Sequence, residues 1–224
     1  MTLWLSRLMP DPASRQARRD LSGSGTDLHH RVMALFPDGL SPQPRAHLGL
    51  LFRTDETPRG PVLLLQSNQR PTLDRLPTDY ATLHSHPLDD LLDALAPGRA
   101  VHYRCVASPV RKPGAETRAL YNLPPVVPLH GEAADQWWQR QAANAGLITT
   151  AIRSQPLDAI RGPHPKSRNT KHANGPISHH RTRFDGTATI TDVGLLRQAI
   201  THGIGRGKAY GCGLLSIAPA RRES

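Results

Sequence analysis

The chain has 224 residues, of which 38% are hydrophobic, and it contains 18 glycines and 21 prolines. This composition is typical of a globular protein of one or two domains and excludes a wholly disordered chain. A net charge of +10 favours polyanionic partners such as nucleic acid, with a generically basic protein as the alternative. Two cysteines, without Cys/His ligand spacing, argue against a disulfide framework or a zinc site. No apolar run is long enough for a transmembrane helix and no signal peptide is evident, so we expect a cytoplasmic protein.

The first 95 residues predict the order β-α-β-β-α-β. Apolar alternation and short apolar runs predict strands over 3–9, 47–53, 62–66 and 80–86. A helix is expected to begin near Thr26 and to end before Pro37, with a short second helix over 71–76. The first helix carries its apolar residues at helical spacing on one face: Leu28, Val32, Leu35 and Phe36.

The second half of the chain repeats this order. Strands are predicted over 99–107, 147–153, 180–191 and 214–218, with helices over 132–145 and after Asp192. Two split βαβ units predict an α+β protein of two tandem ferredoxin-like (RRM-like) βαββαβ domains, spanning residues 1–95 and 99–224. The cleft between such domains, or an exposed sheet face, is where RNA-binding members of this architecture work.

The positive charge is concentrated in residues 153–183, which hold seven cations and a single acid, Asp158. The centre of this segment, 161–171, has no apolar periodicity, which indicates a long basic loop. We predict an arm that binds a polyanion, and the alternative is a solvated loop that is only incidentally basic. The candidate contacts are Arg161, Lys166, Arg168, Lys171, Arg181 and Arg183.

A glycine-rich loop occupies residues 203–213. It leaves three residues between Gly203 and the Gly207-Lys208 pair and runs from helix to strand, which argues against a nucleotide-binding loop. Such a loop serves either a turn that needs positive φ or a close approach to another backbone. The cations within it suggest that this backbone is a phosphodiester. The candidate contacts are Gly203, Gly205, Arg206, Lys208 and Gly211.

Several motifs together resemble the precursor CRISPR RNA endoribonucleases of type I-E systems. They are Gly203-Ile204-Gly205, the tail from Gly211-Cys212-Gly213 to Pro219, Leu28-His29 with Leu35-Phe36-Pro37, and Phe184-Asp185-Gly186 with Thr189-Ile190-Thr191. The resemblance implies two ferredoxin-like domains and metal-independent cleavage at the base of the repeat hairpin, without a cofactor or a membrane. It implies two kinds of partner, the CRISPR repeat RNA stem-loop, as precursor and as mature guide, and the other subunits of Cascade.

The same resemblance selects His29 as the catalytic residue. From the residues alone, His29 lies near a helix start, where free N–H groups suit a phosphate and an imidazole can act as acid or base on RNA. The alternative is a structural histidine at the border of the helix. Thr26 stands where some relatives have a tyrosine, so the second acid–base group stays open, with Lys208 or an arginine as charge stabiliser. Nearby phosphate contacts are expected from Arg18, Arg19 and Arg31.

Two other functions remain open at this stage. One is a non-catalytic RNA-binding module of the same fold, and the other is a basic scaffold subunit whose partners are acidic proteins. The His84-Ser85-His86 motif could hold a metal on one strand face, but no third ligand is evident, so no metal site is predicted. The adjacent Trp137 and Trp138 lie on a predicted helix, and one of them is expected to belong to a core, with base stacking as the alternative.

Overall fold

A computed structural model describes residues 2–23, 25–39, 41–162 and 177–220, without the side chains at 26, 161, 162, 177 and 178. Contacts between residues divide the chain into two compact units. Unit 1 comprises residues 1–94, 159–179 and 207–214, and unit 2 comprises 95–158, 180–206 and 215–224. Of the described residues, 159–162, 177–179 and 207–214 therefore group with the first unit, whereas the boundaries expected from the sequence place them in the second domain.

Unit 1 is built on a four-stranded antiparallel sheet in the order β2-β3-β1-β4. The first strand lies between the third and the fourth, as in a ferredoxin-like fold. Leu8 is opposite both Leu63 and Leu83 in the register of this sheet. The elements are β1 (Trp4–Pro10), α1 (Arg15–Ser22), α2 (Gly25–Met33), α3 (Pro44–His47), β2 (Leu51–Thr57), β3 (Gly60–Ser67), β4 (Ala81–Pro87) and α4 (Asp89–Asp93).

The core of unit 1 lies between one face of this sheet and the helices. Alternate strand residues such as Leu8, Phe52 and Leu63 are almost fully buried and cluster with Val32 and Phe36 from the α2 region. Each such side chain contributes about 1.5–3 kcal/mol through its removal from water. The sheet and its apolar pattern thereby fix the face of α2 that turns toward the core.

Several elements of unit 1 differ from the sequence-based expectations, among them the short helices α3 and α4, which the sequence does not predict. Residues 15–22 form α1, although the sequence predicts no element there. The helix lacks an apolar stripe that could be recognised, because its buried face includes the carboxylate residue Asp20. The helix expected over 71–76 is wrong, since this segment forms turns, with a hydrogen bond from Leu76 N to Leu73 O. The first long helix ends at Met33, three residues before Phe36.

Unit 2 contains the second antiparallel sheet, in the order β10-β5-β9-β8. This is again the ferredoxin-like order, so the predicted class of two tandem ferredoxin-like domains is confirmed. The predicted helix cap is also confirmed, because the Asp192 carboxylate accepts a hydrogen bond from Leu195 N at 2.9 Å. The remaining elements of the chain, of which the 3₁₀ helix belongs to unit 1, are β5 (Ala100–Ala107), β6 (Val110–Arg111), α5 (Ala115–Tyr121), β7 (Val127–Pro128), α6 (Glu132–Asn144), β8 (Leu147–Gly162), β9 (Ile177–Ile190), α7 (Val193–His202), a 3₁₀ helix (Lys208–Tyr210) and β10 (Leu215–Pro219).

Aromatic stacking organises the core of unit 2. The Trp138 and Phe184 rings are nearly parallel, with centroids 5.0 Å apart, and Trp137 stacks on Phe184 at 6.3 Å. The sequence predicts that one of these tryptophans belongs to a core, and in the structure both are buried. Across the described part of the chain, no helix is long and apolar enough to span a membrane.

The Phe184-Asp185-Gly186 motif has a structural explanation within this core. Asp185 accepts hydrogen bonds from Arg104 and from Arg183. A Cβ at Gly186 would lie 2.0 Å from the carbonyl oxygen of Ala151, to which the Tyr103 hydroxyl donates a hydrogen bond. In this motif, Phe184 supplies a stacked ring, Asp185 binds two arginines, and Gly186 allows β9 to lie close to β8.

Replacing Gly186 with alanine is expected to destabilise unit 2. The added methyl group would collide with the backbone of Ala151, and overpacking of this kind costs about 1–3 kcal/mol or more. Gly114→Ala is the matched control, because a Cβ there meets nothing within 4 Å. Urea unfolding followed by tryptophan fluorescence should show a lower midpoint for Gly186→Ala only. Equal midpoints for the two variants would contradict this interpretation of the motif.

Candidate functional site

His29 lies on α2, in unit 1. The helix begins at Gly25, so His29 starts its second turn and not the first turn expected from the sequence. Positions 25 and 29 are four residues apart and therefore lie on the same face of the helix. The ring atom Nδ1 of His29 is buried and has no hydrogen-bond partner among the described residues.

Arg45 lies close enough to both His29 and Lys208 for its charge to lower their pKa values. Burial lowers the pKa of His29 below its ordinary value of 6.5, and the charges of His30 and Arg45 lower it further. Burial also lowers the pKa of Lys208, again with a contribution from Arg45. We call His29, Arg45 and Lys208 the basic cluster.

Arg45 is the member of the basic cluster that sequence reasoning missed. It lies on the short helix α3, where its Nη1 donates a hydrogen bond to the carbonyl oxygen of Leu50 at 3.0 Å. This bond fixes the direction of a long and otherwise flexible side chain. No periodicity or motif in the sequence marks this arginine, so only the fold reveals it.

The glycine-rich loop supplies Lys208 through the 3₁₀ helix. Gly207 and Gly211 flank this helix with φ angles of 79° and 75°, a left-handed region that favours glycine. The expectation of positive φ in this loop is therefore confirmed. The 3₁₀ helix contacts both α2 and β2, and Gly211 lies against the Phe52 ring. The loop thus holds Lys208 beside the helix that carries His29.

The other predicted contacts in unit 1 have two different environments. Arg18 and Arg19 are exposed on α1. Arg31 instead forms an ion pair with the buried Asp20, with its Nε 2.6 Å from Oδ2, and its guanidinium lies over the Tyr80 ring. This geometry favours a structural role for Arg31. A cavity of about 510 Å³ is lined by Gln16, Arg19, Asp20, Gly23, Asp27, His30 and Arg31.

The predicted contacts in unit 2 belong to β9 and to the start of the glycine-rich loop. Arg181 donates a hydrogen bond from Nε to the carbonyl oxygen of Asp158, and Arg183 is held by Asp185. Gly203 caps α7, Gly205 lies against Trp137, and Arg206 is exposed. Lys166, Arg168, Lys171 and the side chain of Arg161 lie outside the described residues, so their role stays a prediction.

The basic cluster combines one half-buried imidazole with two cations. A neutral imidazole can take a proton from a hydroxyl group, and the cations can stabilise charge on a phosphate. His84 and His86 lie on β4, outside this cluster. Within the described residues, no group of three or more His, Cys, Asp or Glu side chains is arranged to hold a metal ion.

The two sheets therefore define a tandem ferredoxin-like protein with an imidazole and cations gathered in its first unit. A family model described as "CRISPR associated protein" matches residues 3–219, and the chain belongs to this family. The resemblance found in the sequence motifs is confirmed by this match.

Named relatives cover nearly the whole chain. The CRISPR-associated endoribonuclease Cse3 of Thermus thermophilus is 27% identical over 97% of this chain and 100% of its own length. The Cascade subunit CasE of Escherichia coli K12 is 29% identical over 86% of this chain and 90% of its own length. A structure of Cse3 bound to a 19-nucleotide RNA is 26% identical, with a TM-score of 0.74, over 98% of this chain and 100% of that one.

We expect His29 to titrate below the ordinary histidine pKa of 6.5. Burial and neighbouring positive charge both disfavour the imidazolium, so the ring stays neutral until the pH falls through the lowered value. Arg45→Gln removes one of these charges and should raise the pKa of His29. The exposed Arg59→Gln is the control. The ¹³C-labelled imidazole signals, followed by NMR against pH, give both values, and an unshifted His29 or equal effects of the two variants would contradict the assignment.

Proposed function

We propose that this protein is a metal-independent endoribonuclease that cleaves precursor CRISPR RNA at the base of the repeat hairpin. It leaves a 2′,3′-cyclic phosphate and a 5′-hydroxyl, stays bound to the mature guide RNA, and carries it into a Cascade complex in the cytoplasm. The observation that carries the proposal is the basic cluster, located in a chain whose relatives are named as a CRISPR endoribonuclease and a Cascade subunit.

The cluster suits a reaction in which RNA supplies its own nucleophile. The 2′-oxygen attacks the adjacent phosphorus, a new O2′–P bond forms, and the P–O5′ bond breaks. His29, neutral at pH 7 because its pKa is lowered, takes the proton from the 2′-hydroxyl. Lys208 and Arg45 stabilise the negative charge that accumulates on the phosphate oxygens. Side-chain cations thereby stabilise the phosphate charge that a metal ion stabilises in other nucleases.

Binding of the stem is assigned to cations away from the cluster. Exposed Arg18 and Arg19 in unit 1, exposed Arg206 in unit 2 and the basic segment 161–171 offer charge for an A-form backbone, which proteins recognise mainly by shape and phosphate. Binding and chemistry then depend on different residues. This division is what makes the two separable by mutation.

His29→Ala should bind the repeat RNA normally and cleave it about 10²–10⁴-fold more slowly, because a proton-transfer group is removed while the stem contacts remain. His84→Ala is the matched control, since His84 is an exposed histidine on β4. Single-turnover cleavage in EDTA, with the affinity from filter binding, measures both quantities. Wild-type cleavage should survive EDTA and stop when the ribose before the scissile phosphate is 2′-deoxy.

Three outcomes would contradict the proposal. One is cleavage by His29→Ala at the wild-type rate, and another is cleavage of the deoxy substrate. The third is binding of the repeat by the wild-type protein without any cleavage, which would indicate the non-catalytic RNA-binding module.

Replacing Arg168, Lys171 and Arg181 with alanine should weaken stem binding and reduce its salt dependence. Removing one cation–phosphate pair lowers the slope of log K against log salt concentration by somewhat less than one, so the slope should fall by about 2–3. Arg183 is left intact, because it is bonded to Asp185 within the sheet. Arg59→Ala, an exposed cation between β2 and β3, is the control. An unchanged slope for the triple variant would place the stem on another surface.

A further inference from the structure

We propose that Tyr210 is a second catalytic residue, whose phenolic hydroxyl gives its proton to the departing 5′-oxygen. The inference rests on the proposed function, because it concerns the same cleavage reaction. It fills the role that the sequence leaves open, since Thr26 has no phenol and no acid partner for His29 is evident along the chain.

The first observation is the position of the Tyr210 ring. Tyr210 is the last residue of the 3₁₀ helix, and its Cδ1 would lie 3.3 Å from a Cβ added at Gly25. Gly25 and His29 occupy the same face of α2, one turn apart. The aromatic ring therefore abuts the helix face that presents His29, and it is placed there by the same short helix that carries Lys208.

The second observation is that the ring is supported from another direction. The imidazole of His179, itself only 8% exposed, lies against the Tyr210 ring with centroids 4.9 Å apart and planes inclined by 34°. Contacts to Gly25 and His179 restrict the ring without any need for its hydroxyl. Tyr210 is only partly buried, so this hydroxyl group is available to a substrate.

The chemistry of the cleavage calls for such a group. When the P–O5′ bond breaks, the electron pair goes to the 5′-oxygen, which needs a proton to leave as a hydroxyl. His29 has by then taken the proton of the 2′-hydroxyl and holds it as imidazolium. Tyr210 donates its phenolic proton to the 5′-oxygen and becomes a phenolate beside the cations of the cluster. Proton exchange through water from His29 back to Tyr210 restores both groups, so the reaction consumes no co-reactant.

The test compares Tyr210→Phe with His29→Ala and Lys208→Ala on two repeat RNAs. One has the natural 5′-oxygen at the scissile phosphate and the other has a bridging 5′-sulfur, a leaving group that departs without a proton. Phenylalanine keeps the ring and its contacts, so affinity for the RNA and thermal stability should be unchanged. Tyr121→Phe, at an exposed site on α5, is the matched control.

Tyr210→Phe should cleave the oxygen substrate about 10²-fold or more slowly than the wild type, as expected for removal of a general acid. On the sulfur substrate it should regain a rate within a few-fold of the wild type. His29→Ala should stay slow on both substrates, and Tyr121→Phe should match the wild type on both.

Three results would overturn the role of Tyr210. Tyr210→Phe could cleave the oxygen substrate at the wild-type rate, or it could be slowed equally on both substrates, as for a merely structural residue. The sulfur substrate could instead restore Lys208→Ala and not Tyr210→Phe, which would make Lys208 the acid. The proposed function predicts that the wild-type protein cleaves the oxygen substrate, whatever the role of Tyr210. If the wild type cleaves it, any of these three results overturns the role of Tyr210 alone. If the wild type does not cleave it, the proposed function itself fails.

Discussion

The candidate site depends on the close packing of a glycine-flanked 3₁₀ helix against the start of α2. Gly25 lets both β8 and this helix approach α2, because a Cβ there would lie 2.1 Å from the side chain of Ile160 on β8 and 3.3 Å from the Tyr210 ring. The left-handed Gly207 and Gly211 then turn the chain into and out of the short helix. Without this packing, Lys208 and Tyr210 would have no fixed relation to His29.

Burial and charge give the site its chemistry. Desolvation is the largest cause of the lowered pKa of His29, and the same cause acts on the pKa of Lys208. Arg45, fixed by its hydrogen bond to Leu50, adds positive potential to both. A neutral imidazole therefore stands among cations at neutral pH, which is the protonation state that a general base for RNA cleavage requires. The positive charge of Arg45 that helps to keep His29 neutral also attracts the phosphate.

Local sequence rules predicted the features that depend on local physics. Apolar alternation and short apolar runs predicted the strands of both sheets, Asp192 predicted the cap of α7, and the glycines of the loop predicted its positive φ. They did not predict α1, whose buried Asp20 is bonded to Gln16, Arg31 and Tyr80, because that compensation comes largely from residues distant in sequence. Arg45 was missed for a similar reason, since tertiary packing alone brings it to His29.

In the proposed mechanism, a neutral His29, tuned by burial and by Arg45, takes the proton of the 2′-hydroxyl. The most direct test of this step is the pH dependence of single-turnover cleavage in EDTA, for the wild type and for Arg45→Gln. The account predicts that the rate falls as the pH drops through an apparent pKa below 6.5, and that Arg45→Gln moves this limb to higher pH. A rate that is independent of pH below 6.5, or a limb that Arg45→Gln leaves in place, would contradict it.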